Sequence, residues 1–355
     1  MTGEQAQALA RSAFLRQVAP GIGGASTGDA PTELSAVVRL DSEPGLYRPV
    51  EPAIGDAVCA LGAFDGIHRG HRFLFAQTVG DARAHGARSA IVTFDPDPDE
   101  IFKPVARQRK ILSNADRIEY LRRFGADAVV VVPFTPELAA NTARDFVDDV
   151  LARALRPVSI HVGADFRLGA GNEGTVESLR SLGATRGFDV FGHDLRMSGD
   201  APVSATRIRD LLQQGRIDEV NDLLCRPHFV TGSVGPGRHQ GATFGFPTAN
   251  ILVSYPYVLP LEGVYAGFVR VGDTAWPAAI NVGSPKTFDG VAQPRLLEAN
   301  LVGFEGDLYG SEVSVAFVRR LRGQRKFDTI EELIAVVERN IGWVSDNLGS
   351  GGIRL

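Results

Sequence analysis

One pattern governs the chain between Asp56 and Phe191. A short apolar run is followed by a turn, a helical stretch, and the next apolar run. The runs are AVCALG (57–62), SAIVTF (89–94), ADAVVVV (126–132), PVSIHV (157–162) and a short strand at 188–191. Helical periodicity fills the intervals at 72–86, 114–124, 143–155 and 176–182. Strands about 25 to 35 residues apart with a helix between them predict βα units on a parallel, doubly wound sheet. Ligands of such sheets sit outside the carboxyl ends of the strands. Three segments fall at that edge: the corner beginning at Gly62, the acidic turn at Asp95 and the loop at Gly163.

The texture changes at Arg226–Pro227, after the helical stretch SATRIRDLLQQGRIDEVNDLL. Residues 228 to 320 are rich in Gly, Val, Phe and Tyr and break into short strands, the pattern of a small antiparallel barrel. A helix over Thr329–Asn347 follows, with Thr329 and Glu332 as a capping box. Residues 1–50 look like an extension, helical near Gln5–Val18 and then a Gly/Ser/Pro linker. The expected division is 1–50 extension, 51–225 α/β domain, 226–348 barrel domain and 349–355 tail. The net charge of −5 argues against general binding to nucleic acid or anionic membrane. No apolar run reaches membrane-spanning length and no signal peptide opens the chain, so a cytoplasmic enzyme is expected. The two cysteines, Cys59 and Cys225, read as small buried residues.

The corner GAFDGIHRGH (62–71) concentrates chemistry. Its glycines, Gly62, Gly66 and Gly70, allow close backbone approach, and the helix that follows offers free N–H groups to a phosphate. His68 and His71 are three apart, so both imidazoles can face one group and stabilise charge on it. A zinc pair completed by Asp65, or two surface histidines, are the competing readings.

HRGH resembles the HxGH motif of nucleotidyltransferases, and GAFDGIHRGH resembles the signature of prokaryotic FAD synthetases. VTFDPDP (92–98), GADFRLGAGNEG (163–174) and SATRIR (204–209) match that family in order. The resemblance implies a Rossmann-like domain that adenylylates FMN with ATP and releases pyrophosphate. Gly62, Phe64, Asp65, Gly66 and Gly70 would line the ATP site with His68 and His71. Ser204, Thr206 and Arg209 would hold the leaving phosphates by hydroxyls and a guanidinium fork. A helix cap with a solvated arginine is the plainer reading of SATRIR. Asp165 and Phe166 would contact flavin. Asp97 stands where the family usually has histidine. An anion there opposes triphosphate unless it holds Mg²⁺, and an acidic turn is the alternative.

GFPTAN (245–250) resembles the PTAN motif of riboflavin kinases. Gly245 and Pro247 would shape the ATP site, and Thr248 and Asn250 offer hard oxygens to Mg²⁺. LLEANLVGFEGDLYG (296–310) resembles the family's catalytic segment, in which Glu298 would accept the proton of the riboflavin 5′-hydroxyl. NVGSPKTFDG (281–290) and LRGQRKFDTIEEL (321–333) match further family segments. Ala205, Ala242, Asn300 and Gly303 depart from it. The whole resemblance implies a bifunctional riboflavin kinase and FAD synthetase whose partners are ATP, riboflavin, FMN and Mg²⁺. A chain with one live domain, or a non-catalytic flavin or nucleotide sensor, are the other possibilities.

Overall fold

The computed structural model describes residues 1–14, 34–40, 54–102, 109–236, 246–283, 287–288, 291–292 and 295–355. The chain divides into two compact units. One comprises Pro20–Gln108 and Ser113–Ser204; the other comprises Met1–Ala19, Arg109–Leu112 and Ala205–Leu355.

The first unit is built on a six-stranded, all-parallel sheet. Its strands are β1 (Ala36–Arg39), β2 (Asp56–Leu61), β3 (Arg88–Phe94), β4 (Ala128–Val132), β5 (Arg156–Gly163) and β6 (Asp189–His193). Their order across the sheet is β1-β4-β3-β2-β5-β6. The winding reverses between β2 and β5, and the crevice at such a reversal is where doubly wound sheets take ligands. Strand β4 (AVVVV) is buried at every position, as a strand covered on both faces must be. Helix α2 (Arg69–His85) lies on one face. Asp81 on α2 accepts from the Ser159 hydroxyl at 2.5 Å and meets His161 Nε2 at 3.0 Å, while His161 Nδ1 meets His193 Nε2 at 2.9 Å. The opposite face is covered by Phe146, Val147, Val150, Leu179 and Leu182 around a core of Cys59, Leu61, Val92, Val130 and Ile160.

In this unit two findings depart from the sequence pattern. Ala36–Arg39, inside the stretch expected to be an extension, is the edge strand β1 and pairs in parallel with β4. The helix expected over 143–155 is continuous only in outline: Phe146–Leu151 widens into a π-helical turn. Two longer helices of this unit are α3 (Asn114–Leu121) and α4 (Val176–Arg186), each capped by a hydroxyl side chain, Ser113 or Thr175.

The second unit carries a closed antiparallel barrel. Its strands are β7 (His228–Gly235), β8 (Ala249–Val253), β9 (Gly263–Val271), β10 (Thr274–Val282), β11 (Arg295–Leu301) and β12 (Glu312–Arg322). The order β9-β12-β7-β8-β11-β10 returns to β9 through a β9–β10 pairing, so the ring of six closes. Closure leaves these strands no unpaired edge. Helix α1 (Gly3–Ala13) lies against the last helix, α7 (Ile330–Leu348), and Phe14 meets Phe229 edge-on at 6.2 Å. Thr329 caps α7, but Glu332 accepts from the Asp328 N–H rather than from Thr329, so the expected box is half made.

Helices α5 (Ala205–Gln213) and α6 (Ile217–Leu224) also belong to this unit. Asn221 on α6 donates to the carbonyls of Phe317 and Val318 and accepts from the His228 N–H. One amide side chain thereby joins the helix to two barrel strands.

Candidate active sites

The corner after β2 leaves the sheet at the winding reversal. Its backbone is strained where the side chains are most buried. Phe64 (φ 57°) and Ile67 (φ 48°) both occupy the left-handed region, at a cost of about 1–3 kcal/mol each. Burial of both side chains, 4% and 0% exposed, holds them there. The Phe64 ring lies over Gly62, its Cε1 2.8 Å from where a Cβ would stand. The turn delivers His68 to the N-cap of α2, where its Nδ1 accepts from the His71 N–H at 3.4 Å. An acceptor at Nδ1 places the proton of the neutral ring on Nε2.

His71 lies one turn into the helix. Its ring stacks on that of His68, with centroids 3.6 Å apart and planes 20° apart, and meets Phe64 edge-on at 5.2 Å. The stacked rings explain the intervening glycine. A Cβ on Gly70 would stand 3.2 Å from both Cε1 and Nδ1 of His68. Burial holds the His71 pKa well below its ordinary value, and the charges of His68 and Arg117 act in the same direction. His71 is therefore neutral at physiological pH, a hydrogen-bonding group aimed by packing. Asp65 is buried in the same corner. Among the described residues no group of three or more His, Cys, Asp or Glu side chains is placed to hold a metal ion.

Asp97 does not stand as an open anion at this edge. Its side chain is buried, and Oδ2 pairs with Nη1 of Arg117 at 3.0 Å. Arg117, on α3, also donates to the carbonyls of Ala63 and Phe94. One guanidinium thus ties the corner after β2, the end of β3 and the acidic turn together. Elsewhere in the turn, Asp95 pairs with Arg39 at 3.1 Å, and Asp97 Oδ1 accepts from the Asp99 N–H. The alternating helical pattern of 114–124 marks no special arginine, so sequence reasoning passed over Arg117.

Ser204 closes the sheet unit, whereas Thr206 and Arg209 lie on α5 in the barrel unit. Thr206 is exposed, and Arg209 Nε donates to the Arg109 carbonyl at 2.9 Å. In the loop after β5, Asp165 is exposed, and the half-buried Phe166 packs on the edge of the sheet core.

In the barrel, register assembles the second site. Glu298 on β11 is the direct cross-strand partner of Asn250 on β8 and of Asn281 on β10. Direct partners in a pleated sheet share a face, so these three side chains form one row. Asn281 Nδ2 donates to Glu298 Oε2 at 3.1 Å. Its Oδ1 in turn accepts from Gln324 Nε2 at 2.7 Å, and that same Nε2 donates to the Val282 carbonyl at 3.0 Å. A carbonyl only accepts, so the Gln324 amide is oriented, and through it the Asn281 amide.

Thr248 and Pro247 are exposed at the entry to β8. Asn300 Nδ2 donates to the Pro247 carbonyl at 2.9 Å, which anchors the PTAN turn. Gly303 has φ 77°, and a Cβ there would come within 2.3 Å of the Ser350 carbonyl oxygen, so no side chain is accommodated. Gly245, Ala242 and Lys286 lie outside the described residues. Asn250 and Glu298 supply an amide oxygen and a carboxylate in one row, and Thr248 adds a hydroxyl at the entry to β8, a donor set suited to a hard cation such as Mg²⁺. Asn281 fell within a quoted motif, but its role emerges only from the strand register.

A parallel sheet with a stacked-histidine corner and a closed barrel with a strand-borne carboxylate define a two-unit phosphate-transferring enzyme. The FAD synthetase family model matches residues 51–207, and the riboflavin kinase model matches residues 224–348. The bifunctional riboflavin kinase/FMN adenylyltransferase of Escherichia coli (strain K12) is 34% identical over 297 residues, covering 83% of this chain and 94% of that one. The protein of the same name from Listeria monocytogenes is 33% identical over 284 residues, covering 80% and 90%. A crystal structure described as a macrolide-efflux protein from Streptococcus pneumoniae superposes with TM-score 0.76 at 28% identity, covering 88% of this chain and 99% of that one. This chain belongs to the bifunctional riboflavin kinase/FMN adenylyltransferase family. No helix among the described residues is long and apolar enough to cross a membrane.

Proposed function

We infer that the protein makes FAD from riboflavin in two ATP-dependent steps, acting in the cytoplasm. Residues 226–348 carry the kinase step. The ribityl 5′-hydroxyl oxygen attacks the γ-phosphorus of ATP, the bond to the β,γ-bridging oxygen breaks, and ADP departs. Glu298 takes the hydroxyl proton. Asn281, aimed by Gln324, donates to the Glu298 carboxylate and fixes its orientation. Thr248 and Asn250 would hold Mg²⁺, which supplies charge neutralisation on the phosphates when bound.

Residues 51–225 carry the adenylyl step. An FMN phosphate oxygen attacks the α-phosphorus of a second ATP, the bond to the α,β-bridging oxygen breaks, and pyrophosphate leaves. No covalent enzyme intermediate is required. His68 and His71 stabilise the charge that builds on the α-phosphate oxygens. Gly62, Phe64, Asp65, Gly66 and Gly70 shape the corner, Ser204, Thr206 and Arg209 receive the leaving phosphates, and Asp165 and Phe166 meet the flavin. Gly245 and Pro247 shape the kinase's own ATP site.

What carries this reading is that both family models match one chain head to tail. The test is direct. Incubation with riboflavin and Mg-ATP, followed by chromatographic separation of the flavins, should show FMN and then FAD. FMN accumulating with no FAD would leave only the kinase; tight riboflavin binding with no product would mark a sensor.

A further inference from the structure

We propose that Arg117 is a positioning residue for adenylyl transfer: by bridging Ala63, Phe94 and Asp97 it fixes the floor on which His71 is aimed. The inference rests on the reading of His68 and His71 as the groups that meet the α-phosphate.

The argument begins with what a buried guanidinium requires. Arg117 is 1% exposed, and such a charge is retained only when it is paired and hydrogen-bonded. Its partners are not scattered. The Ala63 carbonyl belongs to the corner that carries the histidines, the Phe94 carbonyl ends β3, and Asp97 sits in the turn that follows. Arginine's planar fork serves several fixed acceptors at once, which an ammonium does with less directional control. The Asp97 charge is thereby matched inside the protein instead of being presented to a triphosphate. Asp97 is held in turn: its Oδ1 accepts from the Asp99 N–H, and Glu100, which accepts from the Asp97 N–H, also accepts from Asn114 Nδ2 at 3.0 Å. Asn114 and Arg117 lie on one helix, so α3 grips the acidic turn at two points.

The same side chain reaches His71 electrostatically. Its positive charge is among the causes that keep the His71 imidazole unprotonated, after burial and His68. Arg117 therefore ties down the corner that carries the ring, through the Ala63 carbonyl, and adds to the effect of burial and His68 on its protonation.

The test uses the full-length protein and three variants. Asp97→Asn with Arg117→Gln removes both charges and leaves no orphaned carboxylate. Arg117→Lys keeps the charge but loses the fork. His71→Asn reports on the reading beneath. FAD formation from FMN and Mg-ATP, FMN formation from riboflavin, the melting profile, and the His71 imidazole titration by NMR without ligands are measured on each.

The double variant should lose about ten- to a hundredfold in kcat for FAD formation. Its KM for ATP should stay within about threefold, since the Arg117 side chain is buried behind the corner. FMN formation should be unchanged. Arg117→Lys should lose part of kcat with the His71 midpoint still depressed. Should the double variant fail to fold, Arg117→Lys alone decides. Wild-type kcat for FAD formation in whichever of these variants folds overturns the proposal. Full FAD formation by His71→Asn would instead overturn the reading of the corner on which it rests.

Discussion

Replacing Gly70 by alanine separates stability from chemistry within one helix turn. Gly70 is the second residue of α2 and carries no left-handed backbone angle, so alanine suits its helical position. Propensity alone favours the change by up to about 1 kcal/mol. Against that, the new Cβ would stand 3.2 Å from two atoms of the His68 ring, and ordinary contact begins near 3.4 Å. The ring must retreat by a few tenths of an ångström. Its Nδ1 bond to the His71 N–H is already long at 3.4 Å and would weaken or break, which costs about 0.5–2 kcal/mol of N-cap stabilisation.

The net change in stability is then close to zero, within about 1 kcal/mol either way. The chemistry is less tolerant. A misplacement of about 1 Å costs on the order of a hundredfold, so a shift of a few tenths should lower kcat for FAD formation about tenfold. Gly80, on the same helix, is the control: nothing lies within 4 Å of the Cβ it would gain. Gly80→Ala should stabilise α2 with FAD formation intact. The assay is the initial rate of FAD from supplied FMN and Mg-ATP, with FMN formation from riboflavin measured on the same preparations. Equal rates of FAD formation in Gly70→Ala and Gly80→Ala would refute the claim that the stacked His68 ring excludes a side chain at Gly70.

Three further outcomes are expected. Glu298→Gln should lower FMN formation more than about a hundredfold while FAD from supplied FMN is unaffected; loss of both activities would contradict separate sites. Asn281→Ala should reduce FMN formation about tenfold with FAD formation unchanged, because it releases the donor that aims Glu298; an unaltered kinase rate would remove Asn281 from the mechanism. His228, fully buried, donates from Nε2 to the Val258 carbonyl, and burial pulls its pKa from 6.5 to about 3. Below pH 6.5 the unfolded imidazole therefore binds a proton that the folded one refuses. Stability is lost as pH falls through that window, by about 2 kcal/mol between pH 7 and pH 5 from this group. Melting curves of His228→Gln at the two pH values should show a smaller acid-induced drop than the wild type; an identical drop would place the sensitivity elsewhere.

The parallel sheet was legible because burial on both faces leaves unbroken apolar runs, and β2 through β6 all fall where those runs lie. β1 was missed for the same physical reason. Four residues on a sheet edge, AVVR, carry too little pattern to stand out beside a Gly/Pro-rich stretch. The assignment of α5 and α6 to the barrel unit was also hidden, since an amphipathic helix does not declare which core its apolar face joins. In the corner, the spacing of His68 and His71 put both imidazoles within one helix turn, but did not show that the rings stack or that Gly70 makes room for them. Arg117 and Gln324 were illegible in principle. Their partners lie 20 and 43 residues away in sequence, and only tertiary placement distinguishes them from solvated side chains. Asp97 is the instructive case. Its departure from the family pattern was visible, and its consequence was not, because the neutralising cation sits on another helix.

The barrel unit is discontinuous in sequence. It gathers α1 from the start of the chain, Arg109–Leu112 from the middle and everything after Ser204. The middle strip is well seated: Ile111 and Leu112 are buried, Lys110 pairs with Tyr257, and the Lys110 N–H donates to the Pro256 carbonyl at 2.9 Å. During synthesis the sheet unit has all its residues once Ser204 has emerged, whereas the barrel waits for the last helix. The residues of the sheet unit are thus all synthesised before those of the barrel unit are complete, although Thr206 and Arg209, assigned above to the adenylyl step, follow on α5. A single cut cannot excise the kinase whole, because a fragment beginning at Ala205 leaves behind a strip that the barrel uses. Trimming either terminus falls on the kinase unit, and shortened forms of the protein should lose FMN synthesis before they lose adenylyl transfer.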